Sequence, residues 1–294
     1  MNQKKGDLHM KNKKWLFILA SLAFALFLGN GTALAQKKVR LAYVEWDCAA
    51  ASTTLVQAVL QEKLGYEVEI LPVAAAAMWQ AIATGNVDGM VTAWLPVTHA
   101  DYYARVKDRV EDLGPIVGGA KLGWAVPTYV TINSIEEVQA HADQFKNKII
   151  GIDPGAGLMR LSEQAMKDYK LDKMELLEGS GATMTAALDT AIRRKEWVVV
   201  TAWSPHWMFG TWDLKYLDDP KGVLGGEEQI HTIVRKNLKK EMPEVYQVLK
   251  NFAWKDPGQL QRVMAWDQEP RADRYENAKR FILENEAQVN AWLK

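Results

Sequence analysis

The sequence predicts an α/β protein of two similar lobes, each a mainly parallel sheet flanked by helices, with a ligand cleft between them. The phrase VTAWLP, Val91 to Pro96, returns as VTAWSP, Val200 to Pro205. Each copy is a short β-branched run that ends in a tryptophan and is stopped by a proline, as a buried strand delivering a ring to a sheet edge would read. Extended backwards, the segments starting at Val39 and Ile149 both alternate strand, helix, strand, helix, strand. That alternation builds a parallel sheet covered on both faces, with ligands beyond the carboxyl ends of its strands. Trp46, Trp94 and Trp203 all fall at such ends.

The chain opens on a processing signal. Lys11, Lys13 and Lys14 precede the apolar run WLFILASLAFALFLG, which leads to Ala33, Leu34 and Ala35 as a small-x-small cleavage site. Residues 1–35 are therefore expected to be a secretory signal peptide. With no cysteine at the cleavage site, a free periplasmic protein is expected rather than a lipid-anchored one. Of 36 basic and 36 acidic residues, the signal holds five lysines and one aspartate, so the mature chain carries 31 and 35, a net of −4. That balance argues against a nucleic-acid partner. Cys48 is the single cysteine, so no internal disulfide forms and the fold stands on its core. A packed small residue and a reactive thiol both remain readings of Cys48.

In the first lobe, Val39 to Val44 is expected as a strand and Ala49 to Leu64 as a helix, stopped by Gly65 where a left-handed cap is needed. Glu67 to Val73 returns as a strand, Ala74 to Thr84 as an alanine-rich helix, and Gly85 ends it. VGGAKLGWAVPTY, from Val117 to Tyr129, mixes glycine, proline and aromatics as a crossing between lobes. The second lobe carries helices near Leu158 to Tyr169 and Ala182 to Arg194, and KGVLGGEE from Lys221 reads as the return crossing. Helices at Pro243 to Phe252, Pro257 to Trp266 and Pro270 to the end, each opened by proline, are expected to pack back on lobe one. The division is then 36–126 with 227–294 as lobe I, and 127–226 as lobe II.

Twelve tryptophans exceed what a core of this size requires. Trp79, Trp197, Trp212, Trp254, Trp266 and Trp292 are read as core, whereas rings beyond strand ends keep their faces free. Several such faces make a box that attracts a quaternary ammonium by cation–π interaction. GNVDGMVTAWLPVTH from Gly85, GWAVPTYV from Gly123, GIDPGAGLM from Gly151 and VTAWSPHWM from Val200 together resemble the substrate-binding proteins of ABC importers for glycine betaine and related solutes. The resemblance covers essentially the whole mature length. It implies the two-lobed type II periplasmic-binding-protein fold, closure on the ligand, and Trp46, Trp94 and Trp203 as the cage. It also implies a membrane-embedded permease as partner. No enzymatic role, cofactor or metal is expected, and a monomer is.

Two features offer themselves for a betaine carboxylate. The helix after Trp46 presents backbone N–H groups near Cys48 and Ala49, with the positive end of its dipole outward. His206, three residues past Trp203, is the candidate side chain, with Gly155 and Gly157 adding amides from the second lobe, unless they are simply turn glycines. Trp124 on the crossing is a candidate fourth wall. Asp47 is read either as a helix cap or as a pocket carboxylate favouring choline. Choline or carnitine is the alternative ligand within the family. A secreted carbohydrate-active enzyme is the alternative of another class, although no pattern sets the separation of Asp47 and Asp153 as a catalytic pair. HExxH, a P-loop and a nucleophile elbow are absent, and the histidines show no metal spacing.

Overall fold

The computed structural model describes residues 38–294; the expected signal peptide lies outside them. Lobe one begins with β1 (Lys38–Tyr43), α1 (Asp47–Leu64), β2 (Glu67–Pro72), α2 (Ala75–Ala83) and β3 (Gly89–Leu95), followed by α3 (Ala100–Val106). Gly65 ends α1 in the left-handed conformation, φ 69°, its N–H bonded to the Gln61 carbonyl at 3.1 Å. β3 is buried at every residue, as a strand covered on both faces should be.

The second set repeats the first after the long strand β4 (Val110–Pro127). It comprises β5 (Lys148–Ile150), α4 (Gly157–Asp168), β6 (Glu175–Leu177), α5 (Gly181–Arg193) and β7 (Val200–Ser204). α6 (Met208–Thr211), β8 (Leu214–Tyr216) and β9 (Glu227–Arg235) follow, then α7 (Leu238–Glu241), α8 (Pro243–Asn251), α9 (Pro257–Trp266), α10 (Arg274–Glu284) and α11 (Glu286–Trp292).

The strand order is β2-β1-β3-β9-β4-β7-β5-β6, with β8 pairing β4. Each half is the same unit: β1 lies parallel to β2 and β3, and β5 parallel to β6 and β7. The two halves meet through β9 and β4, which run antiparallel to each other and to β3 and β7 respectively.

The crossing between the lobes is a strand. Residues 117–127 belong to β4, which pairs β9 up to Lys121 and β7 from Lys121 onwards. The glycines are absorbed as irregularities: register shifts interrupt the β4–β9 ladder at three places, and Gly114 and Gly119 sit at φ 99° and 70°. Such bulges bend and twist a strand without ending it.

The C-terminal helices pack as expected, α9 and α10 lying on α1. The last one divides, however. Asp273 caps α10, its Oδ1 accepting from the N–H groups of Tyr275 and Glu276 at 2.8 and 3.1 Å. Asn285 ends it, donating from Nδ2 to the Phe281 carbonyl. Phe281 and Trp292 stack across that break with Phe252 and Trp254, so the aromatics of this region are core. Asp273→Ala is expected to lower stability by about 1 kcal/mol through loss of the cap, measured as a shift in the urea unfolding midpoint.

Candidate functional site

The doubled topology decides where the site lies. In both halves the strand ends and helix starts point to the seam, so the N-termini of α1 and α4 and the ends of β3 and β7 converge there. A pocket occupies the convergence, enclosing ≈ 300 Å³ of space partly open to solvent. Its walls are Trp46 and Cys48 at the start of α1, Trp94 and Thr98 after β3, and Leu122 on β4. Ile152, Ala156, Gly157 and Leu158 come from the β5–α4 junction, and Trp203 from β7.

Three of the expected residues, Trp46, Trp94 and Trp203, are thus brought together around one space, with Cys48 beside them. All three rings are almost fully buried. Burial, and then the Asp47 charge, push the Cys48 thiol up to about 12, so it stays protonated and packs as a small apolar group. Trp94 and Trp203 are each followed by a cis proline bond, Leu95-Pro96 and Ser204-Pro205.

Other expected residues stand behind the walls. Ala49 is buried in the first turn of α1. Trp124 is fully buried, donating from Nε1 to Ser162 Oγ at 2.9 Å, while Leu122, two residues earlier on β4, reaches the pocket. The Gly155 carbonyl accepts from the Tyr102 hydroxyl at 3.0 Å. Gly157 lines the pocket and is also where the halves touch. A Cβ there would lie 2.3 Å from the Thr98 carbonyl oxygen and 2.6 Å from Thr98 Cγ2.

His206 is fully buried and braces Trp203, the rings 4.4 Å apart at 83°. Its Nδ1 accepts from the Met208 N–H at 3.1 Å, which leaves the proton on Nε2, 3.4 Å from Asp47 Oδ2. His99 is its counterpart after the first repeat, equally buried, Nδ1 accepting from the Trp94 N–H at 3.1 Å and its ring 5.8 Å from that of Trp46. Burial holds both imidazoles down to about 3, so neither adds positive charge beside the rings. His99 was detectable in the sequence as the histidine shortly after the first copy of the repeated phrase. Thr98, Leu122, Ile152, Ala156 and Leu158 carried no such signal.

Asp47 neither caps α1 nor lines the pocket. It is the first residue of the helix, and no side chain caps that terminus. Its Oδ2 instead accepts from Trp207 Nε1 at 2.8 Å, and Arg274 stands 4.0 Å from its Oδ1. Burial raises its pKa against these two partners. Behind Thr98, buried Glu228 on β9 accepts from the N–H groups of Val97 and Thr98 at 2.8 and 2.9 Å and from the Thr98 hydroxyl. No group of side chains able to hold a metal occurs among the described residues.

Two repeat-related lobes sharing an aromatic pocket at their seam define a solute-binding protein of the type II periplasmic class. Residues 37–284 match the family described as the substrate binding domain of ABC-type glycine betaine transport systems, and the chain belongs to that family. Its members bind solutes and are not enzymes, which overturns the carbohydrate-active alternative. The chain resembles the glycine betaine/carnitine transport binding protein GbuC of Listeria monocytogenes at 46% identity over 152 residues, 51% of this chain and 50% of that protein. It therefore spans about half the length of that curated relative.

Among solved structures, lactococcal OpuAC in its closed-liganded conformation with glycine betaine is similar at 42% identity and TM-score 0.83, covering 88% of this chain and 100% of that one. ProX of Borrelia burgdorferi aligns at 39% and 0.84, covering 88% and 97%. A choline-binding ABC-transporter protein in complex with choline aligns at 25% and 0.80, covering 87% and 91%.

Two outcomes are expected. His99 and His206 have folded values near 3 against an ordinary 6.5, so the unfolded chain binds more protons between those limits and stability falls as pH drops through that window. Asp47, raised by burial, acts in the opposite sense. Urea midpoints should therefore fall between pH 7 and pH 5; an unchanged midpoint would mean that the histidines titrate normally. Gly157→Ala should drive the lobes apart, the clash with Thr98 costing about 1–3 kcal/mol, seen as a larger radius of gyration in solution scattering with unchanged circular dichroism.

Proposed function

We propose that the protein captures glycine betaine outside the cytoplasm for a membrane-embedded ABC permease, holding it between Trp46, Trp94 and Trp203 as the lobes close. The observation that carries this reading is the pairing of three tryptophans with two helix N-termini around one small pocket. A trimethylammonium has no N–H to donate, so aromatic faces answer both its charge and its methyl surface. The positive ends of α1 and α4 suit a carboxylate at the other end of the same molecule. Amides near Cys48, Ala49, Gly155 and Gly157 are the candidate donors, with His206 supporting Trp203 at their side.

Three desolvated ring contacts of about 2 kcal/mol each give about 6, and hydrogen bonds to a charged group about 1.5–3 each. Set against several kcal/mol of lost free motion, these gains are of the size that micromolar binding, about −8 kcal/mol, requires. Choline is the second reading, since a solved neighbour is described in complex with it. The engagement of Asp47 by Trp207 favours betaine, because that carboxylate lies outside the pocket walls.

The division assigns 36–126 and 227–294 to lobe I and 127–226 to lobe II, with β4 and β9 as the connection. Residues 1–35 would direct export to the periplasm, and the protein would act there as a monomer. No helix among the described residues is long and apolar enough to cross a membrane. Trp203→Ala is expected to weaken glycine betaine binding at least tenfold with the fold retained, measured by calorimetric titration alongside proline betaine, carnitine and choline. Unchanged affinity would remove Trp203 from the cage, and a choline response larger than the betaine response would reverse the ligand order.

A further inference from the structure

The indole N–H of Trp46 donates to Asp153 Oδ1 at 2.7 Å, and the indole N–H of Trp207 donates to Asp47 Oδ2 at 2.8 Å. Trp46 and Asp47 are neighbours at the start of α1, whereas Asp153 and Trp207 belong to the other half, just after β5 and β7. One dipeptide is therefore gripped from across the seam twice, once as donor and once as acceptor. We propose that Asp153 and Trp207 are positioning residues that fasten the closed form and set the rate of ligand release.

The proposal rests on the capture reading above and adds what holds the captured state. An indole has a single donor and no acceptor. With the seam open, water serves the N–H groups and both carboxylates; with it shut, each indole ring is nearly buried and its donor needs a partner in place. Both partners are carboxylates, and bonds to an ionised acceptor are stronger than neutral ones. Arg274, packed on the same half as Asp47, stands at 4.0 Å and keeps that acceptor aimed at the seam without itself crossing it.

Trp46 is also a pocket wall, so the bond to Asp153 fixes the orientation of a ring that the ligand touches. The wall is completed only when the second half arrives. Since both bonds form after encounter, their loss should appear in dissociation rather than association.

Stopped-flow fluorescence with glycine betaine on the mature protein tests this, using Asp153→Ala, Asp153→Asn and Trp207→Phe. None of the altered residues lines the pocket. Asp153→Ala and Trp207→Phe are expected to raise the dissociation rate roughly tenfold while association stays within about twofold. Asp153→Asn keeps a carbonyl acceptor and should restore most of the lost residence time, which a merely structural role would not produce. An unchanged dissociation rate, or a loss confined to association, overturns the proposal.

If the unaltered protein binds no quaternary ammonium, the capture reading fails separately. The clasp is then judged by the distance between spin labels at Lys63→Cys and Lys167→Cys in ligand-free protein. That distance should lengthen in Asp153→Ala and Trp207→Phe, and equal distances would overturn it.

Discussion

The structure depends on keeping charged side chains out of a pocket walled by aromatic faces, the condition under which those faces could attract a cation. Aromatic faces do this because their attraction lies in the ring quadrupole and needs no neutralising anion. Several ionisable groups near the rings conform. His99 and His206 are held neutral by burial, the Cys48 thiol keeps its proton, and the carboxylates of Asp153 and Asp47 accept indole N–H groups. The remaining field comes from helix N-termini, which are fixed dipoles and suit the opposite end of a zwitterion.

This arrangement needs rings held in place without hydrogen bonds on their faces. The protein supplies that through a layer behind the walls. His206 stands edge-on to Trp203, and His99 packs near Trp46, Trp79 and Tyr102. Glu228 gathers the amides of Val97 and Thr98, fixing the turn that follows Trp94. A carboxylate so buried is stable because backbone donors satisfy it, and it ties the pocket loop to a strand of the seam.

Much of this was legible because it is written locally. The repeated VTAW phrase, the helix-stopping glycines and the alternating elements gave both halves, and strand ends gave the three ring positions. What the sequence concealed is relational. Trp46 and Asp153 are 107 residues apart and Trp207 and Asp47 160, so nothing in either neighbourhood marks the pair. Asp47 could be read as a cap or a ligand because those are its local options, and its actual partner comes from the other half. Leu122 on β4 and Ile152 just after β5 are ordinary apolar residues until the fold sets them at the seam. The stretch 117–127 was legible as a crossing but not as a strand, because isolated glycines usually weaken strands, whereas β4 holds its ladder first to β9 and then to β7.

The connection between the halves is a two-stranded ribbon rather than a pair of loose cords. Such a ribbon yields to bending out of its plane and to twist, where its bulges already concentrate curvature, yet resists sliding within the plane because its ladder would break. Relative motion of the halves then has two soft coordinates, a bend and a twist. A membrane partner that distinguishes loaded from empty protein would need to gauge only that bend and twist, which a rigid docking face can measure by whether both halves touch it at once.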